Sequence, residues 1–440
     1  MSNKKTQSSD ELPNMLMSNI CMNNPNEKIL IHDGIVTFIN DGGQIDLHGK
    51  LMFNWLPNMA VRFYGSFPRD PQIKDFQFFN SNPKIKIENN SEEFKLNGLS
   101  LILNKSNNSI DIMCQLTPPI VIGEMGRKVN KVIFELPNLR GFIGKPVISD
   151  STAYKNTLIF NNGEYEIILD KSKDYPEIST QLENNGGYQL VFTGKLTSVA
   201  SKTFSISESE IILDQFAYFL QFINGSRSSP IFRYGYSNKT VVWRSYTPYE
   251  TDSFKNVISW AKTSSTNSFN DLWIKFSSKW KSENDQECLK TILHWYIEAN
   301  RNSTKLEGSI VLIQNALELL FHWIISESEK YVNTTDAGNI SAAGKIGFLL
   351  ALFNISPEIP KNLKALKQYE KEYKVINGPE LFISIRNCIV HPSEKKRKIL
   401  QRLDTIGRYQ TVTLGLSYIE IILLKYLDYK GDYRNRAEEY

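Results

Sequence analysis

The hydrophobic period changes once along this chain, and the change limits what each half can fold into. From Lys28 to about residue 205, apolar and polar residues alternate with a period near two between recurrent turn signals. Beyond about residue 270, apolar residues return every third or fourth position over helical lengths. The pattern predicts an α+β multidomain chain: a β-rich, sandwich or barrel-like N-terminal domain followed by an all-α bundle.

Within the first part, KILIHDGIVTFI reads as a hairpin turning at Asp33-Gly34, and TLIFNNGEYEIIL as another turning at Asn162-Gly163. QIDLHGKLMF, MAVRFYGSF, KIKIE, SIDIMCQL, KVIFEL and YQLVFTGKL are further strands. Residues 1–26 are expected as a flexible arm, 27–205 as the β-rich domain, 206–283 as a mixed connecting region and 284–440 as the helical domain. In the connecting region, Ser207 and Glu210 form a Ser-x-x-Glu helix start. IFRYGY and TVVWRSY then read as a strand pair, and residues 263–271 as a polar linker. The helical part predicts helices over about 270–280, 286–300, 308–328, 342–353, 377–391 and 399–429.

Bulk properties exclude more than they assign. A net charge of +4 over 440 residues points to no nucleic-acid partner by itself, so any basic patch must be local. The four cysteines are far apart, which suggests neither a zinc knuckle nor a disulfide framework and fits a reducing cytoplasm. The polar start carries no signal core, and no apolar run reads as membrane-spanning, because Leu414 to Leu427 is broken by Ser417, Glu420 and Lys425.

The chemistry concentrates in the helix ending at His391. Glu380, Ser384, Asn387 and His391 share one face, while Arg386 stands among Phe382, Ile383, Ile389 and Val390. A guanidinium in that setting requires a partner. The helix IVLIQNALELLFHWII is apolar almost all round, with Gln314, Glu318 and His322 aligned and no Lys or Arg among them. Glu318 is therefore the expected ionic partner of Arg386. An Arg, an Asn and a His around one point suit phosphodiester cleavage: Arg386 to hold phosphate charge, His391 to move protons and Asn387 to orient either. With RNA, the ribose 2′-hydroxyl can be the nucleophile, so no metal or other cofactor is called for. The run Lys395, Lys396, Arg397, Lys398 comes just after the His and can contact an RNA backbone, although a solvated helix start explains it as simply.

RNCIVHP on a helix of a terminal bundle resembles the Arg-x4-6-His motif of the HEPN family, with Arg386-x4-His391 inside the pattern. NALELLFHW is similar to the family's first core helix, where an acid supports the Arg. A β-rich region before this bundle, with FLQFINGS and TVVWRSY, resembles the ApeA-type HEPN proteins of bacterial phage defence. The resemblance implies a metal-independent endoribonuclease working as a homodimer, with two motifs facing in one cleft. It also implies RNA, often tRNA, as substrate in abortive infection, and a phage-derived trigger on the N-terminal domain. The competing reading is a non-catalytic HEPN-like binding or scaffold module with a ligand- or protein-binding β domain.

Other motifs carry less. Gly194-Lys195-Leu196-Thr197 lacks the preceding Gly of a phosphate loop. His32 and His48 have no second ligand at metal spacing, His294 beside Trp295 reads as packing, and Gln314, His322 and Ser384 read as satisfied core polar groups.

Overall fold

The computed structural model describes residues 12–68, 78–79, 83–87, 92–104, 109–264, 266–301 and 305–439. The chain forms two compact units, one of residues 1–159, 163–213 and 229–254, the other of 160–162, 214–228 and 255–440. Both differ from the expected domains because a single helix, Ile206–Asn224, contributes residues to each.

The first unit begins with six antiparallel strands: β1 Ile29–Asn40, β2 Gly43–Asn54, β3 Ala60–Pro68, β4 Lys84–Ile87, β5 Glu93–Asn104 and β6 Ser109–Leu116. They close into a barrel in the order β1-β2-β3-β6-β5-β4, so no edge among them is left unpaired. In β6 the period of two is complete: Ile110, Ile112, Cys114 and Leu116 point inward. Phe38, Phe53 and Phe63 fill the interior, with the rings of Phe38 and Phe63 meeting edge to face at 5.3 Å. Asp33-Gly34 is not a turn. β1 runs straight through it, pairing Asp33 with Lys50 and Gly34 with Gly49, and the hairpin turns after Asn40 with Gly43 at φ +134°. Continuous pairing with β2 outweighs the local turn preference.

An eight-stranded sheet comes next, in the order β10-β11-β12-β13-β9-β15-β16-β7. Its strands are β7 Val121–Ile122, β9 Lys131–Pro137, β10 Lys145–Ser149, β11 Thr152–Asn161, β12 Tyr165–Lys171, β13 Leu190–Ser198, β15 Ile231–Ser237 and β16 Thr240–Ser245. A small ladder, β8 Lys128–Val129 with β14 Phe204–Ser205, lies apart, and helix α1, Tyr175–Asn185, joins β12 to β13. The β15–β16 hairpin pairs with β9, so it belongs to this sheet and not to a separate connecting region. Gly163 turns the second expected hairpin at φ +91°. Gly194 sits in β13 opposite Phe134, which leaves no phosphate loop there.

The expected flexible arm is partly fixed. Residues 1–11 lie outside the described residues, but from Pro13 onward the chain is tied down along β10: Met15 donates to Ile148 O, and Ile148 to Pro13 O. Two buried carboxyls hold the next stretch, Leu16 to Asn19. Asp170 accepts from the Leu16 amide at 2.7 Å, and Glu135 accepts from the Ser18 hydroxyl at 2.8 Å and the Asn19 amide at 3.3 Å. The segment orders here because buried acceptors need its backbone and Ser18 donors, and because Ile20 and Met22 just beyond pack against the barrel core.

Helix α2, Ile206–Asn224, starts two residues before the expected box. The reciprocal pair is Ser205 with Glu208, whose carboxylate accepts from both the Ser205 amide and its hydroxyl. Glu210 is thereby left to pair with the fully buried Arg233 at 2.8 Å, and the guanidinium lies 3.6 Å over the Tyr249 ring.

The second unit is helical: α3 Phe269–Trp280, α4 Glu283–Asn300, α5 Lys305–Phe321, α6 Thr334–Asn339, α7 Ala342–Leu352, α8 Lys364–Tyr373, α9 Gly378–Val390, α10 Glu394–Arg402 and α11 Thr405–Tyr426. One turn type interrupts the pattern, a π-helix at His322–Ser328 that continues α5. The expected final helix is two, because Asp404 caps a new start by accepting from the Gly407 amide at 2.7 Å. Lys305–Ser328 is long and apolar enough to cross a membrane by length and composition, contrary to the expectation that no run in the chain would be. Here 61% of that window is buried within the fold, as in a core helix. The C-terminal tail is locked by Arg436, which ion-pairs with Glu420 inside the unit and donates to Asn300 Oδ1 at 2.8 Å. Tyr296 donates to the same carboxylate at 2.6 Å.

Glu135 makes the first unit sensitive to pH. Burial pushes its carboxyl from an ordinary 4.5 up to about 8, against the hydrogen bonds from Ser18 and Thr193. A carboxyl held above its unfolded value contributes stability that is complete below about pH 4.5 and lost as pH rises through about 8. Thermal melts between pH 5 and 9 are expected to fall more steeply for the natural chain than for Glu135→Gln. Equal slopes would mean that the carboxyl is already ionised at neutral pH.

Candidate functional site

Helix α9 carries the motif, and its ends are set locally. Asn377 Oδ1 accepts from the Glu380 amide at 3.0 Å while Glu380 Oε2 accepts from the Ile376 amide at 2.7 Å, a reciprocal cap completed by Pro379 in the first turn. Glu380 is therefore occupied at the helix start and takes no part in the face expected for it. At the other end Pro392 stops the helix, and His391 becomes the cap residue at φ −121°, ψ 67°. Its amide still donates to Asn387 O at 3.2 Å, but its side chain leaves the helical register and is exposed.

Arg386 is half-buried. Its Nη1 donates to Asn387 Oδ1 at 3.2 Å, and its buried Nε has no partner. Among the described residues no carboxylate reaches it within ion-pair distance. Ser384 is spoken for by Tyr369, hydroxyl to hydroxyl at 3.1 Å.

Glu318 is not the partner of Arg386. Its Oε1 pairs with Lys345 Nζ at 2.8 Å and its Oε2 accepts from Gln314 at 2.7 Å. Lys345 also reaches His322 Nε2 at 3.0 Å. An ammonium has only hydrogens to offer, so His322 Nε2 accepts. The aligned Gln314, Glu318 and His322 do join one polar group, but its cation comes from α7 and Glu318 leaves it open to water.

Helix polarity explains why. Glu307 on α5 pairs with Arg408 on α11, Ile313 with Gly415 and Trp323 with Tyr426, so α5 and α11 run parallel. Gly378 meets Tyr418 and Phe382 meets Gly415, so α9 runs antiparallel to both. From the shared level of Ile313 and Phe382, Glu318 lies five residues one way and Arg386 four the other. At 1.5 Å per residue that separates them by roughly 13 Å along the bundle.

The same geometry brings Arg386 and His391 to the end of the unit where α5 and α11 begin. The basic helix α10 starts there too, capped by Ser393, which accepts from the Lys396 amide at 3.3 Å. In it, Lys398 pairs with Glu394 at 2.7 Å and Arg397 bends back to Pro392 O at 3.3 Å, while Lys395 and Lys396 have no carboxylate partner among the described residues. Of the expected site residues, the structure thus groups Arg386 with Asn387, sets His391 and the basic run beside them, and removes Glu318. Sequence reasoning missed Lys345 and Arg408. Lys345 had a signal: it is the lone charge in AAGKIGFLLAL.

Two parts of the chain match known family models. Residues 124–257 are similar to the YopA central domain and residues 282–440 to the YopA C-terminal domain. The chain is also 26% identical over 429 residues to the SPbeta prophage-derived uncharacterized protein YopA of Bacillus subtilis (strain 168), covering 94% of this chain and 92% of that protein. Neither family model is described as HEPN or ApeA. No solved structure matches.

The Glu318–Lys345 pair makes a stability prediction. Lys345 is 8% exposed and Glu318 41%, so Glu318→Ala strands a buried ammonium while Lys345→Met leaves a carboxylate that water can reach. Urea unfolding should show Glu318→Ala costing about 1–3 kcal/mol. The double variant should be more stable than Glu318→Ala alone. Losses in the double variant equal to the sum of the two single losses would show that the two side chains do not act as a pair.

Proposed function

We propose that this protein is an endoribonuclease of HEPN type that cuts RNA, tRNA included, without a metal ion, as an effector of abortive infection. The observation carrying this reading is the state of Arg386: a half-buried guanidinium with an unpartnered Nε, no carboxylate within reach among the described residues, and an exposed His five residues on. An arginine so placed is suited to a planar anion from outside the chain, such as a phosphate. The scaffold alternative calls for the opposite, a fully paired Arg386 and a His391 closed off from solvent.

In the proposed reaction the ribose 2′-oxygen attacks the adjacent phosphorus and its proton passes to an imidazole. The bond from phosphorus to the 5′-oxygen breaks, and a second imidazole protonates the leaving oxygen. The products are a 2′,3′-cyclic phosphate and a 5′-hydroxyl. Arg386 holds the charge that grows on the non-bridging oxygens, and Asn387 fixes the guanidinium through the bond already present. Two imidazoles at one phosphate call for two copies of the chain, each supplying His391. The cytoplasm is the natural compartment for such an effector. The β-rich unit is the proposed place for the phage-derived trigger, and the prophage-derived name of a relative fits a role between phage and host.

Purified full-length protein incubated with total bacterial RNA in EDTA should leave 2′,3′-cyclic phosphate ends. Arg386→Ala and His391→Ala should each lower the rate by about 10²–10⁴-fold with unchanged melting temperature. Equal cutting by wild type and both variants would overturn the assignment.

A further inference from the structure

We infer that Arg408 is a positioning residue that latches the basic helix α10 against the unit, and so presents Lys395 and Lys396 to an RNA backbone; this rests on the ribonuclease reading above. The starting point is what α10 lacks. None of its residues is buried, and Ile399 and Leu400 are only half-covered. Its buried apolar anchor, Leu403, lies just past its C-terminal end, so the helix ahead of that point leans on its polar ties. Lys398 with Glu394 and Arg397 with Pro392 O are ties within or next to the helix. Among the described residues, ties reach it from two other helices.

The first joins Arg402 to Glu372 of α8 at 3.2 Å, with side chains 71% and 42% exposed. An exposed pair of this kind contributes little. The second is a fork at Arg408. Its Nη2 donates to Leu400 O at 2.9 Å, and its Nη1 donates to Glu307 Oε1 at 2.6 Å. This guanidinium is mostly shielded from water, and it connects α5, α10 and α11 through one planar group. Glu307 fixes the guanidinium and the guanidinium fixes α10. The latch lies at the end of the unit that carries Arg386 and His391. The lysines it positions have no carboxylate partner among the described residues, so their charge is available to phosphates.

Two readouts on the full-length chain test this. Trypsin cleavage after Lys395 to Lys398, followed by mass spectrometry, reports whether α10 stays docked. Fluorescence anisotropy with a labelled 2′-O-methyl single-stranded RNA, which cannot be cut, reports binding and its salt dependence. Arg408→Ala should raise cleavage at these sites about tenfold, as expected from loss of one charge-assisted hydrogen bond. It should weaken RNA binding and lower the salt slope by about 1.4, as should Lys395→Ala with Lys396→Ala. Adding Arg408→Ala to that double variant should change binding no further. Glu307→Gln, which keeps the shape of the side chain, should move both readouts the same way.

Unchanged trypsin cleavage in both Arg408→Ala and Glu307→Gln would overturn the latch. Faster cleavage with unaltered RNA affinity and slope would overturn its link to RNA. Additive effects in the triple variant would mean that Arg408 meets the RNA directly and not through α10. Absence of RNA binding by the natural chain, with a trypsin readout that responds, would defeat the ribonuclease reading and the role of α10 with it.

Discussion

Helices α5, α9 and α11 converge where Ile313, Phe382 and Gly415 meet, and they do so because residue 415 has no Cβ. One built there would lie 2.6 Å from both Ile313 Cγ2 and Phe382 Cε2. That close approach fixes the level of each helix against the others. With the parallel course of α5 and α11 it decides which charges share an end. Arg386, His391, Arg408 and α10 fall on one side of the contact, and Glu318, His322 and Lys345 on the other.

The two polar groups on either side obey different physics. Glu318 and His322, both partly exposed, satisfy the buried ammonium of Lys345. Their arrangement is what a buried cation demands, because leaving it unpaired costs several kcal/mol. Arg386 is the opposite case. It is partly withdrawn from water yet keeps an unpartnered Nε and only a neutral amide for company. Arg436 pairs with the buried Glu420 and Arg233 with the half-buried Glu210, and Arg62, which has no carboxylate, meets the amides of both Asn58 and Gln115; Arg386 has one amide partner and an exposed His five residues on.

Within the β-rich unit the same rule orders the chain before β1. Glu135 and Asp170 are buried acceptors, and the segment around Leu16 to Asn19 supplies their donors. The stretch thus becomes ordered through these hydrogen bonds together with apolar packing, Ile20 and Met22 lying against the barrel core. This is why composition suggested an arm where the structure has a bound strap.

The sequence by itself determined the class of each half, through the period of two before residue 205 and the helical period after 270. It also placed the stop at His391, since Pro392 forbids helix locally, and it singled out Arg386 by its apolar neighbours. These are local effects, readable within a few residues. It misjudged Asp33-Gly34, where pairing with a distant strand overrides the turn, and it joined α10 to α11 across the Asp404 cap. Only the tertiary structure decided that Glu318 pairs with Lys345, and that Arg408 grips both Glu307 and Leu400. Ion pairing depends on which helix ends lie side by side, and that is set by packing between residues about a hundred positions apart, such as Ile313 and Gly415.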